Sequence, residues 1–116
     1  MPHVQVVGEC RLRDLREALG DFQTGAPPLL MRIRETFVNA PGTQLLLEAI
    51  VIEGYLRQSF FLLVRSEARG VLVRCHPASP VEKTTGVKTL IARVGAQIVA
   101  RCPGTEIGHT NLAEFL

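Results

Sequence analysis

A chain of 116 residues with a net charge of +2 can bury one packed core and does not require an acidic partner. Its composition, 47% hydrophobic and 21% charged, is globular and excludes a disordered chain. No apolar run approaches the ~20 residues that span a bilayer, and the N-terminal residues lack a secretion signal. The sequence predicts one cytoplasmic domain, residues 1–116, without membrane contact.

The first 28 residues are predicted to form a strand, a short helix and a loop. The stretch "HVQVV" has the β-branched density of a strand. Leu12, Leu15 and Leu19 follow at helical spacing, and Gly20 is placed to end that helix. The next stretch, "DFQTGAPP", contains glycine and two prolines, which favour a loop.

Residues 29–76 are predicted to form an antiparallel meander that starts with a hairpin. In "LLMRIRETFV" apolar and polar residues alternate, which is typical of a half-buried strand. With "NAPGT" as the loop, Arg34 lies opposite Glu48 on one face, and Phe37 lies opposite Leu45 on the other. We therefore expect a cross-strand ion pair between Arg34 and Glu48.

The second half of the meander is predicted to be another hairpin, formed by "QSFFLLVR" and "GVLVRCH" around the loop "SEAR". In that register Phe60 lies opposite Cys75, which predicts a small buried thiol on a strand. The opposite face then carries Arg65, Arg74 and His76.

A long helix is predicted over residues 79–102. Ser79, Pro80 and Glu82 match a capping box with proline at the first helical position, and Thr85 is a second candidate cap. The helix continues with an apolar stripe of Val87, Leu90, Ile91, Val94 and Ile98. Residues 103–116 are too apolar for a free tail and are predicted to dock on the same domain or on a partner.

Together these elements predict an α+β fold. A four- to five-stranded antiparallel meander carries the long C-terminal helix on one face, with a short N-terminal helix beside it. One helix covers only one face, so outward residues of the two-sided strands, such as Ile50 and Phe61, need further cover. The first helix or a second subunit would supply it.

Few residue patterns point to chemistry. Three cysteines without a Cys-x-x-Cys motif predict reduced thiols. No spacing predicts a catalytic group, a metal site or a cofactor. We expect a ligand site from Arg34, Glu48, Arg74 and His76 instead. A separate anion site is predicted at the start of the long helix, where free N–H groups lie near two lysines, Lys83 and Lys88.

The function predicted from the sequence is a non-enzymatic interaction or regulatory module that forms a homodimer or binds another protein. One alternative is a ligand-binding or enzymatic domain with a pocket between the sheet and the C-terminal helix. A second alternative is an RNA-binding module that uses the arginines, although stacked aromatic residues are lacking.

Overall fold

The computed structural model describes residues 1–116, which form a seven-stranded antiparallel sheet and two helices. The α+β class is confirmed, but the sheet has seven strands rather than the four to five predicted. The strand order is β2-β3-β4-β5-β6-β1-β7. The elements are β1 (His3–Val7), α1 (Leu12–Leu19), β2 (Gln23–Ala26), β3 (Leu29–Val38), β4 (Gln44–Glu53), β5 (Leu56–Glu67), β6 (Gly70–Cys75), α2 (Thr85–Arg101), β7 (Glu106–Thr110) and a 3₁₀ turn (Ala113–Phe115).

The two additional strands are short and lie at the two edges of the sheet. β2 was predicted to be a loop, but it pairs with the start of β3 from Gln23 opposite Arg32 to Ala26 opposite Leu29. β7 pairs with β1, so the C-terminal tail docks on its own sheet. Neither segment has strong strand propensity. Each segment becomes a strand because it forms hydrogen bonds with backbone groups of β1 or β3 that would otherwise be unpaired.

The core lies between the sheet and the two helices. Alternate residues of each strand point toward the helices, and they join the apolar stripes of α1 and α2 in one buried cluster of 24 residues. The helix α2 packs closely on β1 at Gly95, where a Cβ atom would lie 2.7 Å from Cγ1 of Val4. Glycine at this position lets α2 pack directly on β1, which occupies an interior place in the sheet.

The helix α2 begins later than the sequence predicts. Its N-cap is Thr84, whose hydroxyl accepts a hydrogen bond from the Val87 N–H at 3.3 Å. The hydroxyl of Ser79 instead accepts from the Phe61 N–H at 2.9 Å. Because β6 ends at Cys75, the backbone N–H of Phe61 on β5 has no strand carbonyl to pair with. The Ser79 hydroxyl takes the place of that carbonyl as the acceptor. The predicted capping box at Ser79 is therefore wrong.

The hairpin of β5 and β6 is tighter than predicted. Glu67 pairs with Gly70, which leaves a two-residue loop, and Leu62 lies opposite Cys75 in place of the expected Phe60. The observed pairing of β5 with β6 differs from the predicted pairing by two residues. Because side chains alternate with a period of two, each residue keeps its predicted face. Cys75 is accordingly buried, as predicted, with 3% of its surface exposed.

A disulfide joins Cys10 and Cys102, so the expectation of reduced thiols is wrong for these two residues. Cys10 precedes α1 and Cys102 caps the C-terminal end of α2, and their Cα atoms are 6.0 Å apart. The two cysteines are 92 residues apart in sequence, so local sequence patterns could not predict that they pair. Disulfides persist mainly in oxidising compartments, so the cytoplasmic location stays a prediction.

We expect the double substitution Cys10→Ser/Cys102→Ser to lower the free energy of unfolding by about 2–4 kcal/mol, since the bond closes a long loop in the unfolded chain. Urea denaturation under oxidising conditions measures the change. The same protein without substitutions, denatured with a reductant, is the matched control and should reach the same midpoint. If the unsubstituted protein unfolds at the same urea concentration with and without the reductant, the disulfide does not stabilise the fold.

Candidate functional site

The sheet has one face that neither helix covers, here called the outer face. On β4 the residues Leu45, Leu47, Ala49 and Val51 point to the core, and their neighbours point outward. Several of these outward residues are apolar and only partly exposed, which is unusual for a solvated sheet face. They form the outer patch, which comprises Leu30, Phe37, Leu46, Ile50, Ile52, Phe61 and Leu63.

A β-bulge in β3 turns Phe37 onto this patch. Ile33 pairs with Ala49 and Glu35 with Glu48, so Arg34 is the extra residue. Phe37 therefore lies opposite Leu46 with 52% of its surface exposed, and the predicted pairing with Leu45 is wrong. Strict alternation would have buried Glu35 beside Ile33.

The bulge places Thr36 inward in a position that satisfies its side chain. Thr36 is 8% exposed and its hydroxyl donates to the carbonyl of Arg16 at 3.0 Å. A buried hydroxyl with a partner costs little, whereas a buried glutamate without one costs several kcal/mol. The polar run "RET" in an otherwise alternating strand was the signal that could have revealed the bulge.

The predicted ligand residues lie on the outer face, so they do not line the expected pocket between the sheet and α2. Arg34 and Glu48 share this face as predicted, with Nε 3.8 Å from Oε1. His76 lines a hollow beside Leu46, and its Nδ1 accepts from the Ala78 N–H at 3.1 Å. Arg74 lies opposite Leu63 and donates through Nη1 to the Met1 sulfur at 3.5 Å.

These four residues do not converge on one point. The Arg34 and Glu48 side chains are 53% and 34% exposed, so their ion pair is solvated and contributes ~0–1 kcal/mol. Arg74 points toward the N-terminal residue instead, and its Nε is buried without a partner. The structure thus offers one loose ion pair beside an apolar patch rather than a single polar site.

Three adjoining hollows follow the outer face. The largest has a volume of about 350 Å³ and lies between Phe61, Leu46 and the segment 76–80. A second of about 270 Å³ lies beside Phe37 and shares Leu46 and His76 with the first. A third, of about 150 Å³, contains the Arg34–Glu48 pair. The patch is therefore uneven, with depressions that a complementary surface could fill.

The start of α2 is already occupied by a carboxylate from the same chain. Glu53, at the end of β4, accepts hydrogen bonds from the Thr84 hydroxyl and from the Gly86 N–H, the latter at 3.0 Å. A Cβ at Gly86 would lie 2.5 Å from the Glu53 carboxyl carbon, so glycine permits this approach. An external anion near Lys83 and Lys88 would have to displace Glu53. The sequence pattern did not indicate this role for Glu53, because it depends on a distant strand.

In the remaining free thiol, Cys75, the effect of burial outweighs the electrostatic effect of a nearby lysine. Burial raises the pKa of Cys75, and the nearby Lys83 lowers it to a smaller extent. A thiol that stays protonated is a poor nucleophile. No three histidine, cysteine or acidic side chains come together to hold a metal ion. Neither helix has the length and hydropathy needed to cross a membrane.

We expect Glu53→Gln to lower the free energy of unfolding by about 1 kcal/mol, because the helix start loses a charged acceptor. Urea denaturation at neutral pH measures the difference. Glu82→Gln is the matched control, since the Glu82 side chain is exposed and makes no capping hydrogen bond. Equal losses of stability in the two variants would contradict the capping role.

Comparison with known proteins found no matching family model, no matching curated protein and no matching solved structure.

Proposed function

We propose that this chain is a self-associating interaction module that buries its outer patch against a second copy of itself. The observation that carries the proposal is the placement of both helices on one face of a sheet whose other face is also apolar. Phe37 and Leu30 are 52% and 38% exposed at the rim of that patch. Contiguous exposed apolar surface on a folded protein is characteristic of an interaction site.

The charges around the patch favour a second copy as the occupant. The outer face carries both signs, with Arg34 beside Glu48 and Arg65 beside Glu67 at 3.6 Å. In a two-fold symmetric dimer the same patch meets itself, so a face with paired charges of both signs is self-complementary. A stable interface needs about 800 Å² from each subunit, so the dimer must also bury the charged side chains that surround the patch.

A small apolar ligand in the largest hollow is the second candidate. Its volume of about 350 Å³ is at the lower end of the range for small-molecule sites, and it combines Phe61 and Leu46 with the polar groups of His76 and Ser79. Such a ligand would occupy the same face as the second copy. The two candidates therefore predict different masses for the purified protein.

Nucleic-acid binding is the weaker alternative, because carboxylates already neutralise several arginines. Arg32 donates to Asp21 at 2.6 Å, and Arg34 and Arg65 each have a glutamate within 4 Å. A phosphate backbone would have to compete with these partners. Phe37 is an exposed aromatic on this face, but single-stranded nucleic acid is usually held by several stacking rings.

The substitution Phe37→Asp tests the proposal. It places a charge at the exposed rim of the patch, so the fold should tolerate it while self-association weakens at least tenfold. Light scattering coupled to size-exclusion chromatography, over a range of concentrations, measures the mass. Tyr55→Asp is the matched control, because Tyr55 is a fully exposed aromatic in the β4–β5 turn, at the opposite end of β4 from the Phe37–Leu46 pair.

The expected result is a dimer for the unsubstituted chain and for the Tyr55 variant, and a monomer for the Phe37 variant at equal concentration. A monomer at every concentration would refute self-association. Native mass spectrometry of the same samples then reports whether a small molecule remains bound, which is the result that the ligand candidate requires.

A further inference from the structure

Two histidines far apart in sequence meet at one edge of the sheet. His3 is the first residue of β1, and His109 lies near the end of β7. Nε2 of His3 is 3.0 Å from Nδ1 of His109, and the ring planes are inclined by only 11° with centroids 5.1 Å apart. The two nitrogens therefore face each other across the gap between the rings, at the distance of a hydrogen bond.

The hydrogen bonds of His3 leave Nε2, the ring nitrogen that faces His109, without a proton. Nδ1 of His3 is 3.0 Å from the carbonyl oxygen of Met1, and a carbonyl can only accept, so Nδ1 carries the proton. Nε2 then presents a lone pair to His109, whose Nδ1 donates to it. A carbonyl that fixes one ring nitrogen in this way is the usual outer-shell partner of a metal-binding histidine.

The backbone around the pair is held by side chains from both terminal segments. Asn111 accepts from the His3 N–H at 3.0 Å and donates to the Met1 carbonyl at 2.8 Å. Gln5 accepts from the His109 N–H at 3.0 Å. These contacts fix the backbone at both histidines before any ligand arrives, which lowers the entropic cost of binding.

We propose that His3 and His109 form a two-imidazole site for a late divalent transition-metal ion, with Cu²⁺ the strongest binder and Ni²⁺ next. Two nitrogens about 2.0 Å from one metal are ~2.8 Å apart at a right angle and ~3.3 Å apart at the tetrahedral angle. The observed 3.0 Å lies between these values. Copper and nickel accept the tetragonal arrangement, and imidazole nitrogen suits both.

Metal binding at this site needs no net loss of a proton. The proton on Nδ1 of His109 moves to Nε2 of the same ring by exchange with water, and both imidazoles bind as neutral ligands. Water fills the remaining positions, since no third histidine, cysteine or acidic side chain joins the pair. Arg74 on β6, whose Cα lies opposite His3, adds a positive charge nearby and moderates the affinity.

Titration of the untagged full chain with CuCl₂, followed by isothermal calorimetry, tests the site. We expect one equivalent to bind, and His3→Ala or His109→Ala to weaken that binding at least tenfold. The double variant keeps His76 and the chain's amino group, so it reports the binding that remains without the pair. Its affinity should equal that of either single variant, because chelation needs both rings.

A second readout separates binding from damage to the fold. NiCl₂ should raise the melting temperature of the unsubstituted chain by several degrees, since the metal fastens β1 to β7. His109→Gln keeps a polar side chain without a second imidazole and should melt normally in EDTA but lose the rise with nickel. Equal copper affinity in the unsubstituted and double-variant chains, or no melting shift with nickel, would overturn the proposal.

Discussion

Packing of both helices on one face of the sheet is the constraint on which the rest of the structure depends. The stripe of α2 fills the space above β1, and Gly95 allows the helix to approach Val4 closely. α1 covers the neighbouring end of the same face, so no helix remains for the outer face. The central strands β4 and β5 are apolar on both sides, and their outward residues form most of the outer patch, on which the proposed self-association depends.

The same constraint explains the local departures from regular structure. A strictly alternating β3 would place Glu35 under the helices, and the bulge at Arg34 avoids this by turning Thr36 inward. The carboxylate of Glu53 is used at the start of α2 because the end of β4 lies beneath that helix. The first arrangement avoids burying a charged group without a partner, and the second supplies an acceptor to the free N–H groups at the start of the helix.

The two ends of the chain are joined more tightly than their sequence separation suggests. β1 lies inside the sheet between β6 and β7, so the first and last strands are neighbours. The Cys10–Cys102 disulfide and the His3–His109 contact lie on the same two terminal segments. Backbone pairing, a disulfide and a side-chain contact therefore all join the N-terminal segment to the C-terminal segment.

By itself the sequence determined the α+β class, most of the long strands, the core stripe of α2 and the shared face of Arg34 and Glu48. These features depend on periodicity and on propensities of neighbouring residues, which short-range steric and hydrophobic effects control. Only the tertiary structure decided the edge strands β2 and β7, the bulge, the role of Glu53 and the disulfide. Each of these features depends on a partner group more than ten residues away or on an unpaired strand edge. Local sequence patterns do not show which distant group will become the partner.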